Sequence, residues 1–201
     1  MTKRCLILGF ICFFGALRAD WTFYDKEGQM VVLKFYQAGP LDDTVIDAIE
    51  SLFTSAFALQ HPDLAKEDFE FEKDALKENR DDVKVILARQ NGVPVGFVLW
   101  FLEDGNELCI DYIAIEPSFW HRGMGSKLLF APLLLEQNIS KVYLNTWISD
   151  VSTCTWYKYF GFEPCTSSWG TARPEMIGFC MNRALVDQKR EDILTTVCLE
   201  K

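Results

Sequence analysis

From residue 83 to residue 115 the chain alternates apolar runs with tight polar breaks. Val83 to Ala88 is rich in Val, Ile and Leu, and Asn91-Gly92 follows it. Both turn residues tolerate positive φ, so the pair predicts a two-residue hairpin. Val93 to Phe101 is the second run, Asp104-Gly105 the next turn signal, and Leu108 to Ile115 the third run. Together they predict an antiparallel meander of strands. Upstream, Met30 to Tyr36 reads as another strand. Pro40 opens a helix, and Asp42 and Asp43 favour its positive end. Leu41, Val45, Ile49, Leu52, Phe53, Ala56 and Phe57 recur at helical spacing, which predicts one apolar face. His61-Pro62-Asp63 ends that pattern. Leu64 to Asp82 is mostly charged, with Phe69, Phe71 and Leu76 as its anchors, and reads as a solvated helix or loop cover.

Beyond Ile115 the period changes. A glycine-containing turn leads into a helix from about Gly125 to Gln137, which Pro132 is expected to kink. Lys141 to Thr146 is the next strand. A strand, a crossover helix and a further strand imply a parallel pair joined with right-handed chirality. A short helix, about Ser152 to Phe160, is stopped by Gly161. Phe162 to Cys165 and Glu175 to Met181 are the last strands, and Ala184 to Lys201 is a helix or tail. Strands mixed with a central βαβ unit predict a mixed α/β sheet in one domain, residues 20–201. No internal repeat, low-complexity segment or Gly- or Pro-rich linker divides the chain.

Composition narrows the class. A chain of 201 residues with 49% apolar and 14% aromatic residues can bury a sizeable core. Its formal charge of −9 argues against a nucleic-acid surface, which needs clustered Lys and Arg. The same charge suits a cationic acceptor, or simply solubility. Met1 to Ala19 stands apart: Lys3 and Arg4 precede the apolar run Cys5 to Leu17, which is too short to span a bilayer comfortably. A secretory signal peptide, a buried N-terminal element and an upstream extension of the true start all fit it. The first reading implies export, and retention of the segment implies a cytoplasmic protein. Cys109, Cys154, Cys165, Cys180 and Cys198 are odd in number and without tight spacing, a poor disulfide framework. Cys109 and Cys180 lie in apolar runs and read as small core residues. His61 and His121 are the only histidines and no C-x-x-C pair exists, so no metal site is expected.

The chemistry concentrates between Ile110 and Leu129. A buried strand, a loop and the turn Arg122-Gly123-Met124-Gly125-Ser126 open a helix. Gly123 and Gly125 allow a tight backbone turn with no Cβ in the way. The first amides of the helix have no partner inside it and can face a phosphate. That order builds a cradle for a pyrophosphate.

The strand, this turn and the later ending Trp156-Tyr157-Lys158-Tyr159-Phe160-Gly161-Phe162 together resemble the GNAT superfamily of acyl-CoA-dependent N-acetyltransferases. The resemblance spans roughly Met30 to Met181 and is most specific from Leu108 to Phe162. It implies a mostly antiparallel twisted sheet with one splayed parallel pair, flanked by helices on both faces. It implies acetyl-CoA as cosubstrate, with no metal. Gly123, Met124, Gly125 and Ser126 would hold the pyrophosphate, with Arg122 and Lys127 adding positive charge. Main-chain groups of Ile113, Ala114 and Ile115 would pair with the pantetheine arm and polarise the thioester carbonyl. Tyr157 matches the family's general acid to the departing thiolate, and Asp150 the position of an Asn that contacts the cofactor arm. Two departures stand out. Trp120 occupies the place of the usual Gln or Arg at the head of the glycine motif, and Asp150 replaces the Asn.

Acetyl transfer also requires an amine that has lost its proton. Asp111 is the candidate base, acting directly or through water, and strict alternation sets it on one face with Cys109 and Ile113. His61 and His121 are alternates. Cys109 and Cys154 are to be checked as nucleophiles. The implied activity joins acetyl-CoA and a primary amine, small or peptidic, in a ternary complex. The competing readings are an acyl-CoA-binding module without turnover and an exported interaction protein. The acceptor site is expected between Leu41 to Asp82 and Cys165 to Met181, with Trp169 and the acids from Glu67 to Asp74 as lining. The sequence is silent on acceptor identity and leaves a homodimer open.

Overall fold

A computed structural model describes residues 20–36, 41–57, 69, 73–74, 76–78, 83–103, 106–166 and 174–199. The leader, Pro40, His61, the Asp104-Gly105 turn, Trp169 and most of 64–82 lie outside that set. The strands are β1 (Trp21–Tyr24), β2 (Met30–Tyr36), β3 (Lys84–Gln90), β4 (Val93–Glu103), β5 (Glu107–Ile115), β6 (Lys141–Trp147), β7 (Glu163–Cys165), β8 (Met176–Asn182) and β9 (Cys198–Leu199). They form one nine-stranded sheet in the order β7-β8-β6-β5-β4-β3-β2-β1-β9. Every neighbouring pair is antiparallel except β5 and β6. Asn91 (φ 52°) and Gly92 (φ 80°) make the expected hairpin turn between β3 and β4.

The helices whose bounds lie within the described residues are α1 (Asp43–Phe57), α2 (Met124–Phe130), α3 (Pro132–Leu135), α4 (Val151–Tyr159) and α5 (Arg183–Leu194). Helix α1 starts at Asp43 rather than Pro40 because Asp42 acts as its cap. The Asp42 carboxylate accepts from Thr44 N at 2.8 Å, and its carbonyl accepts from Val45 N at 2.9 Å. The helix predicted over 125–137 is divided into α2 and α3. Ala131 between them keeps helical dihedrals, φ −57° and ψ −36°. Pro132 has no N–H to give, so the hydrogen-bond ladder lapses while the helical path continues.

Two hydrophobic layers lie on the two faces of the sheet. On one face α2 to α5 pack Met124, Leu128, Leu133, Tyr157, Val186 and Ile193 against Leu33, Val98, Trp100, Ile110, Leu144 and Phe179. On the other, α1 packs Val45, Ile49, Leu52 and Phe53 against Val85, Leu87, Phe97 and Leu99, joined by Phe69 and Leu76. Each fully buried side chain of this kind contributes about 1.5–3 kcal/mol. The fold is the expected mixed α/β sheet with helices on both faces.

Three features correct the sequence expectations. Strands β1 and β9, of four and two residues, were not anticipated; both are too short for a periodicity to register. Cys165 and Cys180 form a disulfide, with Cα atoms 5.9 Å apart. Pairing of β7 with β8 sets Cys165 opposite Gly178 and Glu163 opposite Cys180, so the two cysteines are diagonal neighbours. Cys180 is thus a bonded, half-buried residue and not a free core thiol. Finally, the strict alternation expected from Cys109 through Asp111 to Ile113 is broken. The β4–β5 register steps from Leu99↔Tyr112 to Trp100↔Ile110, leaving Asp111 as an extra residue. That bulge resets the alternation. Ile110 and Ile113 therefore pack with the same layer, and Tyr112 and Ala114 with the other.

Candidate active site

The end of β5 passes through a single 3-10 turn, Pro117–Phe119, before the glycine segment. His121 (φ 65°) and Gly123 (φ 84°) both adopt left-handed backbone, on either side of Arg122. Backbone that changes hand over successive residues can turn its amides to one side, an arrangement that holds anions. Gly123 is the residue before α2, and Ser126 Oγ donates back to its carbonyl at 2.9 Å. The amides of Met124, Gly125 and Ser126 open the helix and have no acceptor within it. Gly125 has a neighbour that sequence reasoning missed. A Cβ there would stand 3.1 Å from Trp156 Cζ2, so the indole of α4 closes over the turn.

The charges around the turn are arranged differently from expectation. Arg122 Nη1 lies 2.7 Å from Glu27 Oε2 and 3.8 Å from Asp25 Oδ2, and its guanidinium stacks over Phe119 at 4.7 Å. It ties the β1–β2 turn to the glycine segment. Lys127 Nζ donates to Thr196 Oγ1 at 2.6 Å, and burial holds its pKa below the ordinary lysine range against the pull of Asp192. Trp120 turns its indole N–H onto the Ile115 carbonyl at 2.8 Å. The side chain that departs from the motif thereby fastens the end of β5. Lys26, which sequence reasoning did not single out, lays its aliphatic stem against Gly123, with Cγ and Cε 3.6 Å from a Cβ position there.

β5 and β6 pair only from Glu107↔Lys141 to Ile110↔Leu144. Beyond that point the two strands have no further registered pairs, although β6 continues to Trp147 beside β8. The parting begins at Asp111, the residue that the β4–β5 register skips. Ile113, Ala114 and Ile115 follow on the unpaired stretch, and the glycine turn lies at the same end of the sheet. Gly96 on β4 lets this end sit close. A Cβ on it would meet Ile115 Cδ1 at 2.7 Å and the Ala114 carbonyl at 2.9 Å. Asp111 itself is half-buried.

Tyr157 lies in the last turn of α4 and is buried at 5% exposure, against Phe162 and Phe179 with ring centroids at 5.7 and 6.0 Å. Burial, with smaller contributions from Asp150 and Cys154, pushes its pKa well above the ordinary phenol range. The group stays a neutral proton donor. Asp150 caps α4: its Oδ1 accepts from Thr153 N at 3.0 Å and from Ser152 Oγ at 2.7 Å. Burial raises the pKa of both free thiols, Cys109 strongly, so neither is poised as a thiolate nucleophile. His121 is exposed in the turn. Among the described residues no group of acids, cysteines and histidines could hold a metal.

The sequence model of the acetyltransferase (GNAT) family matches residues 46–162, from within α1 to Phe162. The chain belongs to this family. No curated protein sequence matches it. Solved structures share its fold at low identity. A GNAT-family acetyltransferase from Desulfovibrio desulfuricans is 15% identical, with a TM-score of 0.60, 75% of this chain covered and 98% of that one. The PaiA N-acetyltransferase of Thermoplasma acidophilum, solved with coenzyme A, is 12% identical, with a TM-score of 0.59 and coverage of 75% and 99%. The ribosomal-protein-S18-alanine N-acetyltransferase of Escherichia coli is 17% identical, with a TM-score of 0.55 and coverage of 75% and 93%. The GNAT match contains Asp111, the glycine turn and Tyr157. It excludes β1, β2, β7, β8, α5 and β9, and with them Lys26, Glu27 and Thr196.

Proposed function

We propose that this GNAT protein moves the acetyl group of acetyl-CoA to a primary amine by direct attack in a ternary complex. The observation that carries the reading is the parting of β5 from β6 after Ile110 and Leu144, at the end of the sheet where the glycine turn lies. Main-chain groups on the open stretch of β5 suit an extended amide-bearing arm, which would add as a short strand. The turn suits the pyrophosphate at the other end of that arm.

In this reading Ile113, Ala114 and Ile115 orient the arm, and an amide among them stabilises the oxyanion that forms when nitrogen attacks the thioester carbon. Asp111 takes the proton that the attacking ammonium must lose. The C–N bond forms, the C–S bond breaks, and Tyr157 supplies a proton to the departing thiolate. The elevated pKa of Tyr157 supports this role, since its proton is present throughout the neutral range. The elevated pKa of Cys109 and Cys154 supports direct transfer over an acyl-cysteine route.

A second reading, acyl-CoA binding without turnover, has one observation in its favour. Trp120 and Asp150, the two departures from the family pattern, both direct hydrogen bonds into the protein's own backbone. Release of CoA thiol from acetyl-CoA, measured with a panel of diamines, arylalkylamines and lysine- and alanine-terminated peptides, separates the two. Turnover that falls by at least about a hundredfold in Asp111→Asn supports the transfer mechanism. Tight acetyl-CoA binding with no thiol release for any acceptor overturns it.

A further inference from the structure

We propose that Lys26 is a phosphate-binding residue of the cofactor site, delivered to the glycine turn by the β1–β2 hairpin. The inference rests on the acetyl-CoA reading and adds to it a residue outside the family match, which begins at residue 46.

Two contacts set the hairpin against the cradle, and a buried carboxylate steadies the hairpin itself. Lys26 N donates to the Arg122 carbonyl at 3.0 Å. Arg122 in turn pairs with Glu27 at 2.7 Å. Asp25, buried at 7% exposure, holds the turn from within: its Oδ1 accepts from Gln29 N at 2.8 Å and Glu27 N at 3.0 Å, and its Oδ2 from Gln90 Nε2 at 3.2 Å. Lys26 is thus fixed at its backbone on the segment that carries the amides.

Its side chain runs over the left-handed Gly123, with Cγ, Cδ and Cε 3.6 to 4.0 Å from where a Cβ would stand. Lys26 as a whole is exposed, its stem lies along Gly123, and the ammonium is one bond beyond Cε, close to the glycine turn. The other two cations near the turn are committed elsewhere, Arg122 to Glu27 and Lys127 to Thr196. Among the described residues no carboxylate pairs with the Lys26 ammonium. The left-handed φ of 84° is what favours glycine at residue 123, and the Lys26 stem lies at ordinary van der Waals distance from it. A compact ammonium on a stem that lies along the turn suits the doubly charged pyrophosphate as a point charge.

The test is calorimetric titration of CoA and of 3′-dephospho-CoA into the full chain and into Lys26→Met and Lys26→Arg. Methionine keeps the stem over Gly123 and removes only the charge. Thermal melts within about 2 °C of the wild type show that each variant folds alike. We expect Lys26→Met to bind CoA about tenfold more weakly, and Lys26→Arg within about threefold of wild type. The loss should be equal for 3′-dephospho-CoA, because the contact is to the pyrophosphate. Added salt should weaken the wild type more than Lys26→Met. Binding by Lys26→Met within about twofold of wild type overturns the proposal, as does a penalty that vanishes with 3′-dephospho-CoA. Wild type that fails to bind CoA overturns the acetyl-CoA reading as well, which separates the two failures.

Discussion

Trp156 of α4 lies against Gly125 of α2 so closely that a Cβ on the glycine would stand 3.1 Å from the indole Cζ2. The same indole packs against Tyr157, with centroids 5.1 Å apart, and against Phe160 at 5.1 Å. The amide cradle and the candidate general acid therefore share one aromatic wall. Gly125→Ala gains roughly 1 kcal/mol of helix propensity and gives it back by pushing the indole aside by a few tenths of an ångström. Its melting temperature should stay near that of the wild type while its affinity for CoA falls. In a Trp156→Ala background the same alanine should cost no affinity. The coupling in that double-mutant cycle should reach about 1 kcal/mol. Equal effects of the alanine in both backgrounds would show that the glycine serves some other contact.

Tyr157 is expected to act in the proton step and not in cofactor binding. Tyr157→Phe keeps the ring among Phe162 and Phe179 and removes only the hydroxyl. Turnover should drop by about 10²–10⁴ while KM for acetyl-CoA stays within about threefold. Burial raises the phenol pKa, so its acid form persists as pH rises. The wild-type kcat should then show no alkaline fall assignable to Tyr157 up to about pH 10, the ordinary phenol value. A rate–pH profile checks this, and unchanged turnover in Tyr157→Phe would remove the residue from the mechanism.

The long periodic segments were legible because burial repeats along them. The α1 stripe, the Asn91-Gly92 turn and the β5–turn–α2 order could all be read from residue type and spacing. Less legible were relationships between distant segments. Nothing near Lys26 marks it as a neighbour of Gly123, since the contact depends on β1, a four-residue strand. Arg122 reads as a phosphate ligand in the motif, but Glu27 claims it across the hairpin. The break in alternation at Asp111 was hidden for a different reason. A bulge adds one residue to one strand, and no residue type is required to make it, so alternation carried past Ile110 fails to group Ile113 with Ile110.

Asp25 should make the protein sensitive to acid. Burial alone would raise its pKa, but hydrogen bonds from Gln29, Gln90 and Glu27, with the Arg122 charge, outweigh burial and hold the pKa below its ordinary value. A depressed folded-state pKa contributes stability that is present above the unfolded value, near 3.9, and is lost as pH falls through the folded one. Melting temperature should therefore decline below about pH 4. Asp25→Asn leaves the turn amides without their anionic acceptor and should cost about 1–3 kcal/mol at pH 7. It should also flatten the acid decline. An undiminished decline in the variant would assign the effect to other carboxylates.

The Cys165–Cys180 bond ties β7 to β8, the hairpin at the edge of the sheet farthest from β1. β7 has only three residues and two of them, Glu163 and Pro164, are exposed, so packing contributes little to its place. A cross-link that closes a loop with a sequence separation of 15 stabilises by about 3 kcal/mol when the native geometry accommodates it. Cys165→Ser, or reduction of the wild type, should lower the melting temperature, and reductant should have no further effect on the variant. The active-site end is held by other contacts, Trp156 on Gly125 and Arg122 on Glu27. Affinity for CoA should therefore survive loss of the bond while the KM for the amine rises, because the acceptor site is expected beside this hairpin. Equal loss of both affinities would mean that the hairpin supports the whole sheet and not the acceptor side alone.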